Sequence, residues 1–330
     1  MSTPTRWHRL RNHVHVHHHD GVLSVIGDVT WQYPSPPDEL WAALCALRDR
    51  RGASDRHLAE LLGDDGAALI AALDDLGALQ HCDHGFDALA PTTGLAAYLD
   101  GALDQQRIDL AALSATIVGV GAVGGEVARH LAASGFGGLV LIDFDDVSAS
   151  NLNRQYLYGV ADIGRRKIDA ARDALARLAP RCEVETVDAR IAGPGDLDAL
   201  ALPPTSVVVC CADTPPGDIA RWVARHAERR GAIFAAAAVG VRGGTWGPIL
   251  VPGESPSADR AVLSGLDDTL MRAAPVPLAS FGPTNSWIAG ALARDLVHVA
   301  CGDAAPSRNA RVDLDFHTLE VVRTGAEPSS

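Results

Sequence analysis

The segment that decides the fold runs from Thr116 to Lys167 and reads TIVGVGAVGGEVARHLAASGFGGLVLIDFDDVSASNLNRQYLYGVADIGRRK. An apolar run leads into a glycine turn, after which apolar residues recur at helical spacing. The turn glycines are Gly119, Gly121 and Gly124. A second apolar run ends at Asp143, about 20 residues after the last glycine. Strand, glycine turn, helix, strand and acid in this order predict a βαβ unit that binds a mononucleotide, with phosphates at the N-terminus of the helix.

The residues that follow Asp143 distinguish two kinds of nucleotide site. They include Asp145, Asn151, Arg154, Gln155 and Lys167. A nicotinamide site has no need for Arg and Lys just beyond the ribose carboxylate. A triphosphate does, because guanidinium and ammonium groups offset its negative charge. The pattern therefore favours a nucleoside triphosphate and leaves a nicotinamide oxidoreductase as a distant alternative.

The order of residues 142–167 is the most specific feature of the chain. It reads I-D-F-D-D-V-S-A-S-N-L-N-R-Q over 142–155 and D-I-G-R-R-K over 162–167. This order resembles the adenylating family of ThiF, MoeB and the ubiquitin-activating enzymes, and the resemblance extends over roughly residues 105–325. It implies an α/β fold in which a Rossmann-like, mostly parallel sheet forms an adenylation domain that uses ATP and Mg²⁺.

The resemblance also assigns a role to each polar residue of the motif. Asp143 is expected to hold the ribose, while Arg154 and Lys167 bind the phosphates and Asn151 and Gln155 orient the triphosphate. The full nucleotide-binding set that it implies is Gly119, Gly121, Gly124, Asp143, Asp145, Asn151, Arg154, Gln155 and Lys167. The catalytic set that it implies is Arg154, Lys167 and Asp213.

Asp213 follows an apolar run, Ser206–Cys211, that is typical of a strand in a buried parallel sheet. Open α/β sheets bind their ligands at the carboxyl ends of such strands. In the resembling family, this Cys-x-Asp position holds the carboxylate that coordinates Mg²⁺ on ATP, so Asp213 is the expected magnesium ligand. Cys210 and Cys211 are expected to pack in the strand, because burial gives a thiol no activating charge.

The chain divides into two predicted domains. Residues 1–90 form a small winged-helix-like domain, 91–104 a linker, and 105–330 the adenylation domain. Arg107 lies just upstream of the first strand of the larger domain. Some family members supply an arginine from this side to the phosphates in the partner subunit. The spacing here differs, so Arg107 is either such a residue or a surface arginine.

The first domain reads as a β-hairpin followed by three short helices. Residues 13–17 alternate histidine with valine and are followed by His18 and His19, Asp20-Gly21 turns the chain, and Val22–Ile26 forms the second strand. The helices are expected over 38–50, from Ser54, and from Asp64 or Asp65. The histidines His13, His15, His17 and His19 fall on one strand face, which favours a solvated face over a metal site.

This element order resembles the PqqD-like peptide-binding domain of enzymes that modify ribosomally made peptides. The resemblance implies that a leader peptide adds a strand to the hairpin edge at Val22–Ile26. The same peptide is expected to lie against the third helix around Leu69 and Leu73. A plain dimerisation or packing domain is the alternative.

Composition narrows the set of partners. The formal net charge of −13 argues against nucleic acid or an anionic membrane as the main partner. No apolar run is long enough to span a bilayer, and the N-terminus lacks a signal-peptide core. The six cysteines form no C-x-x-C pair, which fits reduced thiols in a cytoplasmic protein. For the same reason, the structural zinc of many relatives is not expected.

These features predict an ATP-dependent adenylyltransferase that activates a carboxyl or amide group on a ribosomally synthesised precursor peptide. The pairing of a peptide clamp with a zinc-free adenylation fold resembles the microcin-C-type peptide-adenylating enzymes, and such folds usually form homodimers. One alternative is a non-catalytic leader-binding partner of a separate cyclodehydratase. Another is an activator of a ubiquitin-like sulfur carrier protein.

Overall fold

The computed structural model describes residues 6–11, 14–27, 29–49, 51–82, 109–257 and 279–325. The chain divides into two compact units, Met1–Arg107 and Ile108–Ser330, which we call the N-terminal and C-terminal units. The predicted linker over 91–104, Arg107 and His13 lie outside the described residues.

Over its described residues, which end at 82, the N-terminal unit contains two small antiparallel sheets and three helices. Its strands are β1 (Trp7–Leu10), β2 (His15–His19), β3 (Val22–Ile26), β4 (Thr30–Pro34), β5 (Ala53–Ser54) and β6 (Leu79–Cys82), and its helices are α1 (Asp38–Arg48), α2 (Asp55–Leu62) and α3 (Asp65–Asp75). The strand orders are β5-β1-β6 and β2-β3-β4. The predicted hairpin and the three helices are confirmed. Ser54 caps α2, because its side chain accepts a hydrogen bond from the His57 N–H at 3.2 Å.

The histidines of β2 lie on a solvated face, as predicted. Val14 and Val16 are buried, whereas His15, His17 and His19 are exposed. Successive side chains of a strand point to opposite faces, so the alternation of histidine and valine separates solvent from core.

Two expectations about peptide binding in the N-terminal unit are wrong. Val22–Ile26 is not a sheet edge, because β4 pairs along the whole of β3, from Val22 opposite Pro34 to Ile26 opposite Thr30. The outer strands of this sheet are β2 and β4. Leu69 and Leu73 belong to the hydrophobic core of the unit, so they offer no apolar surface to a peptide.

A chain of four polar side chains connects the elements of the N-terminal unit. His8 Nε2 lies 2.6 Å from Asp55 Oδ1, and His8 Nδ1 lies 2.7 Å from His81 Nδ1. His81 Nε2 lies 2.7 Å from Asp74 Oδ1. The chain joins β1 and β6 to α2 and α3, so it stabilises this unit from within.

The C-terminal unit is built around one eight-stranded sheet. Its strands are β7 (Ser114–Val118), β8 (Gly138–Asp143), β9 (Glu183–Asp188), β10 (Val207–Cys210), β11 (Ile233–Val239), β12 (Gly243–Trp246), β13 (Ala310–Asp315) and β14 (Val321–Gly325). Its helices are α4 (Ala122–Ser134), α5 (Lys167–Leu178), α6 (Asp196–Ala199), α7 (Asp218–Arg230) and α8 (Gly282–Ala300). The predicted α/β fold class is confirmed, and β13 and β14 pair as an antiparallel hairpin.

The strand order creates a crevice at the carboxyl ends of the central strands. The order is β14-β13-β12-β11-β10-β7-β8-β9, and the strands from β11 to β9 are parallel. After β7 the chain builds β8 and β9 on one side, and it then returns to build β10 and β11 on the other. Such a switch point leaves space beyond the strand ends, and ligands bind there in open α/β sheets.

The core of the C-terminal unit follows the predicted apolar runs. Val207, Val208 and Val209 are at most 1% exposed, which fits a parallel strand covered on both faces. Within the described part of the chain, no helix is both long enough and apolar enough to cross a membrane.

Candidate nucleotide site

The three glycines of the turn meet three different constraints. Gly119 has φ +89°, and a Cβ added there would lie 2.7 Å from the Ala212 nitrogen. At Gly124, an added Cβ would lie 1.9 Å from the Gly119 carbonyl oxygen. Of the three, only Gly121 would accept a Cβ without a clash, because the nearest atom, Gln155 Nε2, would lie 3.8 Å away in ordinary van der Waals contact. The room for a phosphate is therefore at Gly121, whereas Gly124 allows the helix to pack closely on the turn.

Asp143 accepts hydrogen bonds from the glycine turn and from the segment after β8. Its Oδ2 accepts a hydrogen bond from the Val120 N–H at 2.7 Å, and its Oδ1 accepts one from the Asp145 N–H at 2.9 Å. A carboxylate oxygen has two lone pairs, so each oxygen can accept one further bond. Asp143 can thus fix the turn and accept a ribose hydroxyl at the same time.

Lys167 is a buried cation with one carboxylate partner. Its side chain is 8% exposed, and its Nζ lies 2.7 Å from Asp145 Oδ2. The Lys167 N–H also donates to the Asp145 carbonyl at 3.0 Å, which fixes the start of α5. A buried ammonium needs a negative partner, and a phosphate could replace or join Asp145 in that role.

Asn151, Arg154 and Gln155 occupy the irregular segment between β8 and α5. Asn151 is buried, and its Oδ1 accepts a hydrogen bond from the Ser148 N–H at 3.0 Å, so its amide shapes the loop. Arg154 Nη1 donates to the Ser150 carbonyl at 2.6 Å and to Asn153 Oδ1 at 2.9 Å. Both acceptors are neutral, so these bonds leave the guanidinium charge uncompensated.

Gln155 is the polar side chain closest to Gly121. It is 6% exposed, and its Oε1 is buried without a hydrogen-bond partner. An unsatisfied buried acceptor is costly in a folded protein. The Gln155 Oε1 is therefore placed to accept a hydrogen bond from a bound ligand or from water.

Asp213 is exposed at the carboxyl end of β10, and its Oδ1 accepts a hydrogen bond from Thr214 Oγ1 at 3.1 Å. The backbone of Ala212, the preceding residue, contacts Gly119. Mg²⁺ is commonly held by one or two carboxylates together with substrate phosphates, so a single exposed carboxylate beside the glycine turn fits that ion. Across the described ranges, no three His, Cys, Asp or Glu side chains are grouped to hold a metal by themselves.

The two cysteines before Asp213 are unsuited to nucleophilic chemistry. Burial raises the pKa of Cys210 to about 12, an effect that exceeds the opposing backbone hydrogen bond with Ala212. Burial also raises the pKa of the Cys211 thiol, and the neighbouring Cys210 adds to the shift. Both thiols remain protonated at neutral pH. Cys210 packs in β10 as predicted, whereas Cys211 lies just after the strand and is partly exposed.

Tyr158 is a residue of the site that motif order does not reveal. It is buried, and its hydroxyl donates a 2.6 Å hydrogen bond to the carbonyl of Val120 in the glycine turn. Its position three residues after Gln155, in an otherwise apolar stretch, was the available signal.

The structure therefore brings most of the predicted nucleotide-binding and catalytic residues together. Direct contacts join Gly119 to the strand end that carries Asp213, Val120 to Asp143, and Asp145 to Lys167. Gln155 lies over Gly121. Arg154 is the exception, since its described bonds stay within its own loop.

A family model for the ThiF family matches residues 95–329, about two-thirds of the chain. This chain belongs to the ThiF family.

Two of the proteins that are similar to this chain in sequence are adenylyltransferases. The molybdopterin-synthase adenylyltransferase of Salmonella typhimurium is 42% identical over 99 residues, which are 29% of this chain and 38% of that protein. The sulfur carrier protein ThiS adenylyltransferase of Escherichia coli is 39% identical over 114 residues, 34% of this chain and 44% of that protein. The chain thus spans less than half the length of either relative.

Solved structures resemble the ThiF-family chain over nearly its whole length. Escherichia coli MccB with ATP has a TM-score of 0.73 at 19% identity and covers 98% of both chains. MccB with MccA-N7isoASN has a TM-score of 0.74 at 20% identity, covering 98% of this chain and 97% of that one. PaaA has a TM-score of 0.73 at 22% identity, covering 94% and 98%. At this level of identity, the likeness establishes a common fold.

Proposed function

We propose that this ThiF-family protein is an ATP-dependent adenylyltransferase. The observation that carries the proposal is the meeting of the glycine turn, Asp143 and Asp213 at the switch point of the sheet, with the one open glycine position at the N-terminus of α4. A helix N-terminus presents unpaired N–H groups to an anion. The adenylyltransferase names of the sequence relatives support the same chemistry.

In the proposed reaction, a carboxylate or amide oxygen forms a bond to the α-phosphorus of ATP. The bond from that phosphorus to the bridging oxygen breaks, and pyrophosphate leaves. Negative charge builds on the phosphoryl oxygens, and donors already fixed in place stabilise it. The Gly121 N–H, Lys167 and Arg154 are the groups that would receive this charge, while Asp143 holds the ribose and Gln155 orients the triphosphate.

Magnesium fits the same site through Asp213. The carboxylate, oriented by the Thr214 hydroxyl at 3.1 Å, would hold Mg²⁺ together with the phosphates. When bound, the ion offsets the charge of the triphosphate.

The proposed substrate is a ribosomally synthesised precursor peptide, and the protein would act during modification of a peptide natural product. MccB, which shares the fold over the whole chain, has been crystallised with MccA and with N-formylated MccA. The N-terminal unit has a small sheet with two outer strands, β2 and β4, and either could accept the strand of a leader peptide. A homodimer in the cytoplasm is the proposed working form.

A sulfur carrier protein is the second candidate substrate, because the sequence relatives include an adenylyltransferase of ThiS. Pyrophosphate exchange separates the two candidates. Exchange that requires the precursor peptide supports the first substrate, and exchange that requires only a carrier protein with a free C-terminus supports the second. A non-catalytic leader-binding protein would give neither.

Asp213→Ala tests the adenylation proposal directly. It should abolish ATP–pyrophosphate exchange while leaving the thermal unfolding temperature unchanged, because Asp213 is exposed and its loss removes charge stabilisation of several kcal/mol in the transition state. Asp169→Ala, which removes an exposed carboxylate from α5, is the matched control and should exchange normally. Near-normal exchange in Asp213→Ala would remove the magnesium assignment.

A further inference from the structure

Two successive peptide groups of the glycine turn are each held by a side chain. The N–H of Val120 donates to Asp143 Oδ2 at 2.7 Å, which fixes the peptide between residues 119 and 120. The carbonyl of Val120 accepts from the Tyr158 hydroxyl at 2.6 Å, which fixes the peptide between residues 120 and 121. Val120 is itself fully buried and so is its bond to Tyr158, whereas the bond to Asp143 is partly buried.

The second bond determines where the next N–H points. In a trans peptide, the carbonyl and the following N–H lie in one plane and point in opposite directions. Because the Val120 carbonyl is turned toward Tyr158, the N–H of Gly121 is turned away from Tyr158. Gly121 is also the turn glycine with open space beside it.

We propose that Tyr158 is a positioning residue that aims the Gly121 N–H at a phosphate group of the bound nucleotide. This rests on the proposed use of ATP and adds a residue that the motif does not contain. A donor that is already oriented needs no reorganisation when charge arrives, which is what makes fixed donors effective at phosphates.

Tyr158 is suited to act as a permanent donor. Burial is the largest cause that raises the pKa of Tyr158, and the nearby carboxylates of Asp143, Asp145 and Asp162 raise it further. A raised pKa keeps the phenol protonated throughout the neutral and mildly alkaline range. The clamp on Val120 is therefore expected to be insensitive to pH in that range.

Tyr158→Phe in the full-length protein is the test, because it removes the hydroxyl and keeps the buried ring. The dissociation constants of ATP and of adenosine are measured by calorimetry for both proteins. ATP should bind about three- to tenfold more weakly to the variant, the effect expected from one hydrogen bond. Adenosine, which has no phosphate, should bind equally well. Tyr156→Phe, which removes the hydroxyl of a half-exposed ring nearby, is the control and should bind both ligands normally.

Each other outcome has a defined meaning. Equal ATP affinity in wild type and Tyr158→Phe overturns the positioning role. Equal weakening of ATP and adenosine overturns it as well, because a general loosening of the site would affect both ligands. If Tyr158→Phe does not fold, Tyr158→4-aminophenylalanine, which keeps a donor at the ring end, replaces it and should retain wild-type affinity for ATP. Wild-type protein that binds no ATP refutes the proposed function itself, independently of Tyr158.

Discussion

At the scale of single residues, glycine at 119, 121 and 124 is required for three distinct reasons. Gly119 needs a positive φ, and Gly121 leaves space for a ligand. At Gly124, a Cβ would clash with the Gly119 carbonyl oxygen, which would lie only 1.9 Å away. The sequence predicts that all three are glycine for the sake of the nucleotide. It does not reveal that Gly119 serves a positive φ and the close approach of Ala212, or that Gly124 serves the packing of α4 on the turn.

A pair of alanine substitutions separates these reasons. Gly124→Ala should lower the free energy of unfolding by about 1–3 kcal/mol, because the added methyl group forces α4 away from the turn. Gly121→Ala should leave stability unchanged but weaken ATP binding about tenfold, since the methyl group enters the space of the phosphate. Denaturant unfolding and calorimetry measure the two effects. The opposite pattern would contradict the assignment of the open position.

Among single residues of the candidate site, some can be recognised from the sequence and others cannot. Ordered motif residues such as Asp143 and Lys167 are recognisable because their types and spacing carry the signal. Tyr158 is not, because its role depends on a hydroxyl reaching a backbone carbonyl 38 residues away in sequence. The ion pair of Lys167 with Asp145 is also a product of the fold, since it joins α5 to the segment after β8.

At the scale of elements, periodicity predicts the parallel strands and the amphipathic helices well. Strand β4 is the clear failure, because TWQYP is a short segment that is exposed at four of its five positions, although Trp31 and Tyr33 alternate with polar residues. Missing β4 gave β3 a free edge that it does not have. Leu69 and Leu73 illustrate a related limit, since an apolar helix stripe looks the same in sequence whether it contacts the core or a ligand.

Because β4, and not β3, is an outer strand of its sheet, the N-terminal unit allows a prediction for β4. Proline placed in turn at Trp31, Gln32 and Tyr33 should weaken leader-peptide binding, most strongly where the lost N–H points outward and could pair with an added strand. The same scan over His15, His17 and His18 of β2 is the matched control for the opposite edge. Fluorescence anisotropy with a labelled leader peptide measures the affinity. Loss only in the β2 scan would move the proposed peptide strand to that edge.

At the scale of the whole molecule, the two units have separate hydrophobic cores, and the N-terminal unit carries its own network from Asp55 to Asp74. This organisation fits two tasks carried out by separable parts. The peptide would be captured by one unit and adenylated by the other.

Expression of the units apart tests this division. Residues 1–107 alone should bind the leader peptide without ATP, and residues 108–330 alone should bind ATP but modify the peptide poorly. Part of the lost rate should return at high peptide concentration, because tethering acts by raising the effective concentration. If the truncated protein modifies peptide at the full rate, the N-terminal unit has no part in capture.

The raised pKa values of the buried cysteines Cys182 and Cys210 have a practical consequence for labelling. Alkylating reagents attack thiolates, and with the pKa of Cys210 raised to about 12 and that of Cys182 to about 11, almost no thiolate forms at either site at pH 7.5. Cys45 is exposed on α1. Peptide mapping after brief iodoacetamide treatment should find Cys45 modified and Cys182 and Cys210 intact until the protein unfolds. Rapid modification of Cys210 would contradict its burial. A dye on Cys45 would then report on the N-terminal unit and leave the chemistry of the nucleotide site untouched.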